Sequence, residues 1–356
     1  MAYRTLIRAH QRLVHLAVVT LLGSLCIACT PKVEEPLKIQ GFTQGTTYNI
    51  SLYLPETSSV SQAQLEEAIS KELAHIDQVF SNYRDDSVIE QFNNLQATDI
   101  VNTDAELVDL VKRARDIYIA SHGCYDITSK PLFELWGFKK DVFNKPSDEE
   151  IAAALTIVGM DKLDIPSDTQ LRKQVPELRI DSNSIAQGYS VERVVKLLEN
   201  DFGIVSYLVE IGGELQVRGK KADGSAWRIG LDKPLPGERK LQKIVSFDAG
   251  EPMSLITSGT YRHYFDSEGK RYSHILDARV GKPVEHNTVS VAVIHPNPTL
   301  ADGWSTALQC LGSGEGMEVA KANHLAVLFI DQHGDELREI KSPALEALQV
   351  ITLNNP

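Results

Sequence analysis

Positive charge and cysteine are both scarce in this sequence. Its 356 residues carry 36 lysines and arginines against 48 aspartates and glutamates, a net charge of -12, and only four cysteines. A surface of that sign repels a phosphate backbone, so we expect no nucleic-acid partner. Four cysteines do not form a disulfide framework in a chain of this length, and their spacing does not suggest zinc. With 42% hydrophobic residues, the chain has an ordinary globular composition.

The apolar run at the amino terminus is too short to span a membrane. It extends from Leu16 to Ala28, whereas a membrane-spanning helix needs roughly 20 residues. A segment with three arginines and no carboxylate precedes it, and this layout predicts a secretory signal over residues 1–28. Removal of that signal takes away three positive charges and changes the net charge from -12 to -15.

The end of this run resembles the bacterial lipobox. Leu25 is followed by two variable residues, the small residue Ala28 and then Cys29. We therefore expect cleavage before Cys29 and lipidation of that cysteine, with residues 29–36 as a tether and residues 37–356 as the folded domain. The protein would be anchored by lipid to the inner membrane and face the periplasm. The alternative is an uncleaved amphipathic anchor with an ordinary cysteine.

Two cysteines, Cys124 and Cys310, remain in the folded body. In an oxidising compartment they could pair, but two buried free thiols fit the sequence equally well.

Helical patterns come first in the chain and strand patterns follow. A capping-box pattern at Ser61 and an apolar face predict a helix that ends at Phe80. A second helix is expected between Thr103 and Gly123. Further helices are expected at 148–158 and 185–202, and strands at 47–54, 205–211, 227–231, 244–247, 253–257, 288–295 and 325–331. This order favours an α+β fold in a single catalytic body over a regular βαβ winding.

Several motifs suggest chemistry, each with an ordinary structural alternative. The Thr257-Ser-Gly sequence could place main-chain N–H groups near a phosphate, or could be a simple turn. His274 could be catalytic or structural. Asp302 and Thr306 lie four residues apart, so on a helix both oxygens face the same way and suit Mg²⁺ or Ca²⁺.

The alternative for Asp302 is a capping role, since Thr299 and Asp302 fit a capping box. Gly188, early in an expected helix, indicates close approach either of a ligand or of another helix. The aromatic residues between Gly123 and Phe138 are typical of a core.

In their order, these blocks resemble the ApbE family, bacterial flavin transferases that move FMN from FAD onto a protein. The resemblance spans about Gly41 to the last strand, and a lipoprotein signal is also common in that family. Its blocks are Tyr125–Phe138, Ile180–Tyr189, Glu210–Glu214, Thr257–Arg262, Tyr272–Asp277 and Ala301–Leu308. It implies an α+β, T-fold-like domain with mixed or antiparallel sheets packed with helices, which binds FAD as its substrate.

The resemblance also implies roles for individual residues. FAD contacts fall on Gln44, Tyr83, Cys124, Tyr125, Asp126, Asp181, Gln187, Ser258, Ser273 and Ile275. Mg²⁺ would be held by Asp302 and Thr306, with main-chain oxygen near Ala186 and a further contact from Ser184. His274 matches the proposed general base of the family, and an imidazole pKa near its ordinary value would suit that task.

The chain departs from the family pattern at several positions that face the flavin and its phosphates. Gln44 replaces a methionine, Ser182-Asn-Ser replaces Leu-Gly-Gly, Thr260 replaces an aspartate, and the segment after Asp277 also differs. These departures bear on how the substrate is bound rather than on the type of reaction.

By this resemblance, a Thr or Ser hydroxyl of an exported subunit of a membrane redox complex attacks the flavin-side phosphate of FAD and AMP leaves. A Mg²⁺ ion would supply the positive charge that the acidic surface lacks. Two alternatives stay open. Water could attack instead, which would make the protein an FAD pyrophosphatase, or the chain could be a non-catalytic flavin-binding lipoprotein.

Overall fold

The computed structural model describes residues 35–235, 240–248 and 250–356. Pro36–Pro356 forms one compact unit. The expected signal, the lipidation site Cys29 and most of the expected tether lie outside the described residues. Within the described part of the chain, no helix combines the length and the hydropathy that crossing a membrane requires.

Eighteen strands are found in the described residues. In chain order they are β1 Leu37–Thr43, β2 Thr46–Tyr53, β3 Val101–Asn102, β4 Leu163–Ser167, β5 Gln170–Lys173, β6 Ser206–Ile211, β7 Glu214–Arg218, β8 Trp227–Asp232, β9 Leu241–Phe247, β10 Met253–Gly259, β11 Tyr264–Ser267, β12 Lys270–Ser273, β13 Leu276–Asp277, β14 Lys282–Pro283, β15 Thr288–His295, β16 Ala326–His333, β17 Glu336–Lys341 and β18 Ile351–Asn354.

The helices of the described residues surround these strands. They are α1 Gln62–Phe80, α2 Val88–Asn94, α3 Ala105–Ala120, α4 Lys130–Leu135, α5 Asp148–Leu155, α6 Ala186–Asn200, α7 Pro298–Ala322 and α8 Pro343–Ala347, with 3₁₀ turns at Phe138–Lys140 and Met160–Lys162.

The central element is an eight-stranded sheet of order β1-β2-β6-β7-β10-β15-β16-β17. All of its neighbouring pairs are antiparallel. Two three-stranded sheets, β18-β9-β8 and β3-β5-β4, and the ribbons β11-β12 and β13-β14 complete the strands. The expected α+β architecture of helices packed with antiparallel sheets is confirmed.

Both faces of the central sheet are buried, and alternation along its strands divides the side chains between two cores. In β15, Val291 and Val293 face the core that contains the helices, whereas Ala292 and Ile294 face the core under the β18-β9-β8 sheet. Strand residues of period two must point to opposite faces. The helix-bearing face therefore carries the side chains that meet α6 and α7.

The main expected helices and strands are present, with small differences at their ends. Ser61 caps α1 through the expected capping box with Gln64. The cap of α3 is Asp104 rather than Thr103, since its carboxylate accepts the N–H of Glu106. Thr257-Ser-Gly is not a turn, because all three residues belong to β10.

Candidate active site

A cavity of about 460 Å³ opens where the helix-bearing face of the sheet meets the first turns of α6 and α7. Its walls bring together residues that are far apart in the sequence. The sequence-predicted residues that line it are Gln44, Tyr83, Asp181, Ser184, Ala186, Gln187, Ser258, His274, Ile275, Asp302 and Thr306. The predicted flavin contacts, cation ligands and general base therefore share one space.

The remaining predicted contacts lie beside this cavity. Cys124, Tyr125 and Asp126 line a smaller space of about 70 Å³, whose walls also include His274 and Thr306. Ser273 lines neither cavity, and its hydroxyl accepts a hydrogen bond from the main-chain N–H of Ile275 at 3.1 Å. In this position Ser273 fixes the segment that carries Ile275.

Asp302 is a buried acidic residue in the first turns of α7, only 5% exposed. The alternative that Thr299 caps this helix is wrong, because Asn297 is the cap and accepts the N–H of Leu300. Asp302 instead turns inward, and its Oδ2 accepts the N–H of Gly188 at 2.8 Å. Burial raises the pKa of Asp302, so its charged form requires a positive partner.

Hydroxyl groups surround Thr306, one turn further along α7. Its Oγ1 lies 3.4 Å from Oγ of Ser258, and Ser258 Oγ lies 2.7 Å from Oγ of Ser305. Ser184 approaches from the facing turn and donates to the phenol oxygen of Tyr125 at 3.3 Å. The potential metal ligands on this wall are therefore oxygen atoms, which hard divalent cations prefer.

Ser190 of α6 connects Gln44 and Ala186 by hydrogen bonds. The Gln44 amide nitrogen donates to Ser190 Oγ at 2.7 Å, and the Ser190 hydroxyl donates to the carbonyl of Ala186 at 2.8 Å. The Gln44 amide oxygen is buried and has no hydrogen-bond partner among the described residues. An unpartnered acceptor in this position is available to a ligand.

Glu214 lines the same cavity, and the sequence analysis assigned it no role. Its Oε2 is buried without a hydrogen-bond partner in the described part of the chain. Burial and the charge of Asp302 raise its pKa well above the ordinary value. The signal that could have identified it is its position directly after Gly212 and Gly213, whose left-handed conformations turn β6 into β7.

A second overlooked residue, Asn82, fixes the loop before α6. Its side chain donates to the carbonyl of Ile180 at 3.2 Å and accepts the N–H of Ser182 at 2.9 Å. These bonds hold Asp181 at the cavity wall, where burial raises the pKa of its carboxyl group. Asn82 directly precedes Tyr83 in the sequence, and only Tyr83 was predicted to belong to the site.

His274 lines the cavity, and one hydrogen bond sets the tautomer of its ring. Its Nδ1 lies 2.8 Å from the main-chain carbonyl oxygen of His263. Because a carbonyl oxygen only accepts, Nδ1 carries the proton and Nε2 is left unprotonated. The His263 and His274 rings stack with centroids 5.3 Å apart and planes at 27°.

The pKa of His274 differs from the ordinary value that the sequence led us to expect. Burial of the ring lowers it to about 4, although the hydrogen bond to the His263 carbonyl acts in the opposite direction. The imidazole is therefore neutral at ordinary pH. Negative phosphates placed beside it would raise its pKa again, because an opposite charge stabilises imidazolium.

Cys124 and Cys310 form a disulfide with Cα atoms 6.0 Å apart, which decides between the two alternatives that the sequence left open. The bond ties the loop of Tyr125 to α7. In that loop the Asp126 carboxylate accepts the N–H of Thr128 at 2.7 Å and that of Met160 at 3.0 Å. Burial nevertheless raises the pKa of Asp126 to about 6.

Carboxylates outnumber fixed cations on the wall of the large cavity. Among the described residues that line it, the acidic ones are Asp77, Glu134, Asp181, Glu214 and Asp302, and the lysines and arginines are Lys130, Lys139 and Arg262. Lys130 is paired with Glu90, and Arg262 lies 3.3 Å from Asp232. An anionic ligand of this cavity would therefore need an accompanying cation.

Comparison with known proteins relates most of the described domain to one family. The sequence model of the ApbE family matches residues 44–329. The FAD:protein FMN transferase of Vibrio cholerae serotype O1 is 36% identical over 333 residues, which are 92% of this chain and 97% of that protein. The corresponding protein of Escherichia coli K12 is 35% identical over 325 residues, 90% of this chain and 91% of that protein.

Structural comparison gives the same relationship. The crystal structure of Pseudomonas stutzeri flavinyl transferase ApbE in its apo form has a TM-score of 0.80 and 36% identity, covering 89% of this chain and 98% of that one. All of the predicted flavin, cation and proton-accepting residues fall within the stretch that the family matches.

Proposed function

Because the chain belongs to the ApbE family, we propose that it transfers FMN from FAD to a Thr or Ser hydroxyl of a protein, in a reaction that needs Mg²⁺ and releases AMP. The observation that carries the proposal is the meeting of His274, Asp302 and Thr306 at one cavity. His274 comes from the segment between β12 and β13, whereas Asp302 and Thr306 come from α7.

The residues on the α7 wall fit a divalent cation. Asp302 and Thr306 would hold it, with the carbonyl of Ala186 and the hydroxyl of Ser184 nearby. The unpartnered oxygen atoms of Gln44 and Glu214 support this assignment, because buried acceptors are rarely left unsatisfied. When bound, a divalent cation neutralises a pyrophosphate and makes its phosphorus atoms easier to attack.

His274 accepts the proton of the attacking hydroxyl at Nε2. The hydroxyl oxygen forms a bond to the flavin-side phosphorus while the bond between that phosphorus and the bridging oxygen breaks. The products are a phosphoester-linked FMN on the protein and AMP. The carbonyl of His263 keeps the ring in the correct tautomer, so the acceptor nitrogen needs no rearrangement before the reaction.

Tyr83 provides a flat surface at the entrance. Its side chain is 77% exposed although it lines the cavity. An exposed aromatic ring at a cavity rim favours stacking with a planar heterocycle, such as the flavin or adenine ring of FAD.

The test is a transfer reaction with purified components. Incubation of the protein with FAD, Mg²⁺ and an exported flavin-accepting subunit should add the mass of one FMN to that subunit and make its band fluorescent. Release of AMP without an acceptor, at a rate that an acceptor does not change, would instead indicate an FAD pyrophosphatase. Bound FAD with neither product would indicate a non-catalytic flavin-binding protein.

For the cellular location, we propose a lipid anchor at Cys29 on the periplasmic side of the inner membrane. The basic and apolar segments before Cys29 support it. The disulfide between Cys124 and Cys310 also supports it, since such bonds persist in oxidising compartments. Exported flavin subunits of membrane redox complexes would meet the protein there. Radiolabelled palmitate on the wild-type protein but not on Cys29→Ala would test the anchor.

A further inference from the structure

Glu214 is a partly buried residue whose carboxylate oxygen Oε2 is shielded from solvent. It is the first residue of β7, and its side chain lines the cavity beside Asp302. No hydrogen bond reaches its Oε2 from the described residues. Ionisation of an unpartnered carboxyl group in such a place costs several kcal/mol. A glutamine would fill the same volume and could not ionise at all, so packing alone does not account for an acid at this position.

Glu214 lies on the sheet face that borders the same cavity as Asp302 and Thr306. Strand alternation places Glu214 on the helix-bearing face with Gln216, whose amide nitrogen donates to the carbonyl of Pro296 just before α7. The amide oxygen of Gln44, also unpartnered, lines the same cavity. Two orphan oxygens from β7 and the β1–β2 turn thus lie at the cavity that Asp302 and Thr306 line from α7.

We infer that Glu214 belongs to the cation site and allows the protein to hold the cation before FAD arrives. This inference rests on the proposed function. Asp302 alone leaves a divalent cation with a net positive charge in a buried place. Asp302 and Glu214 together balance both positive charges without any contribution from substrate phosphates. Once FAD is bound, its pyrophosphate supplies negative charge of its own, and Glu214 contributes less to cation affinity.

The experiment compares Mn²⁺ binding to the flavin-free and FAD-saturated full-length protein, by electron paramagnetic resonance of the free ion. Glu214→Gln should weaken Mn²⁺ binding roughly 10- to 100-fold without FAD, and clearly less with FAD. Asp302→Ala should weaken binding in both states. Thermal unfolding in the presence of EDTA would show that each variant is folded.

Glu210→Gln is the matched control, since it removes one negative charge from the same β6–β7 hairpin. The Glu210 carboxylate accepts hydrogen bonds from Asn49 and from the N–H of Gly213, and it lines a different cavity. Equal Mn²⁺ affinities of Glu214→Gln and Glu210→Gln without FAD would overturn the inference. So would a wild-type protein that binds Mn²⁺ only with FAD. Neither result would affect the transfer assay, which tests the proposed function separately.

Discussion

The main-chain N–H of Gly188 donates to the carboxylate of Asp302 at 2.8 Å and joins the first turns of α6 and α7. The helices approach so closely that a Cβ atom at position 188 would lie 2.4 Å from the carbonyl oxygen of Pro298 and 2.6 Å from Cβ of Asp302. Of the two explanations for this early helical glycine, the structure supports the close approach of another helix.

Replacing Gly188 by alanine should separate the two helices. Alanine normally stabilises a helix relative to glycine by about 1 kcal/mol, but the clash should reverse the sign and destabilise the protein by about 1–3 kcal/mol. Cation binding at Asp302 should weaken with it. Urea unfolding and Mn²⁺ titration would measure the two effects.

Gly314→Ala provides the control for this prediction. Gly314 lies in the exposed part of α7, and a Cβ atom there meets nothing within 4 Å. This substitution should be neutral or stabilising. If Gly188→Ala were as stable as Gly314→Ala, the close contact between the helices would not exist in solution.

Asp302→Asn should stabilise the metal-free protein by about 1–3 kcal/mol while abolishing transfer. The amide retains an oxygen for the Gly188 N–H and removes a buried negative charge. Because burial raises the pKa of Asp302, the wild type loses stability as pH rises through that pKa. The advantage of the variant should therefore grow with pH and disappear in acid.

Thermal unfolding in EDTA over a range of pH would measure this advantage. Excess Mg²⁺ should reverse the order of the two proteins, since only the wild type gains the free energy of cation binding. A metal-free Asp302→Asn protein that unfolds below the wild type at alkaline pH would contradict the prediction.

His274→Gln should lower the transfer rate by about 10²- to 10⁴-fold, the usual contribution of a general base, with little change in FAD affinity. His263→Gln is the matched variant. Its ring also lines the cavity, but the bond that orients His274 comes from its main chain. Stopped assays of FMN incorporation would compare the two variants. A greater loss of transfer rate in His263→Gln than in His274→Gln would show that His274 is not the general base.

The His274 imidazole should stay neutral down to a pH of about 4 in the flavin-free protein. Its folded pKa lies below the ordinary 6.5, so the unfolded chain binds the proton first and stability is lost as pH falls through that interval. Nitrogen-15 spectra of labelled histidine should show protonated Nδ1 and unprotonated Nε2 at neutral pH. An imidazole that titrates near 6.5, assigned by comparison with His274→Gln, would refute this.

Removal of the disulfide by the double substitution Cys124→Ala and Cys310→Ala should cost about 2–5 kcal/mol of stability. The bond connects the Tyr125 loop to α7, so FAD affinity should fall as well. Dithiothreitol should have the same effect on the wild type and none on the double variant. Equal unfolding midpoints for the oxidised wild type and the variant would rule out a stabilising role.

The helices and strands were predictable where one local signal dominates. The capping box of Ser61 and the strand pattern of residues 47–54 are short-range signals, and α1 and β2 are both present. The cap of α3 was misassigned because two adjacent residues, Thr103 and Asp104, can both accept a main-chain N–H. The disulfide could not be predicted, because the distance between Cys124 and Cys310 depends on the whole fold.

Most residues of the candidate site were predicted from the family resemblance. Their burial, hydrogen bonds and pKa values were not. Sequence places Asp302 and Thr306 on one helix face but does not show that Asp302 is buried against Gly188. It also does not show that a carbonyl oxygen sets the His274 tautomer, or that burial lowers its pKa. Glu214 was overlooked because its importance lies in a missing partner, which only the three-dimensional arrangement reveals.

Cys124 and Cys310 are 186 positions apart, and Asp181, Glu214, His274, Asp302 and Thr306 all lie between them. A single proteolytic cut of the backbone within this interval leaves two fragments that are still one covalent molecule. A cut between Tyr83 and Cys124 instead releases the segment that carries Gln44 and Tyr83. Limited proteolysis would thus have different consequences on the two sides of Cys124, and reduction would remove the difference.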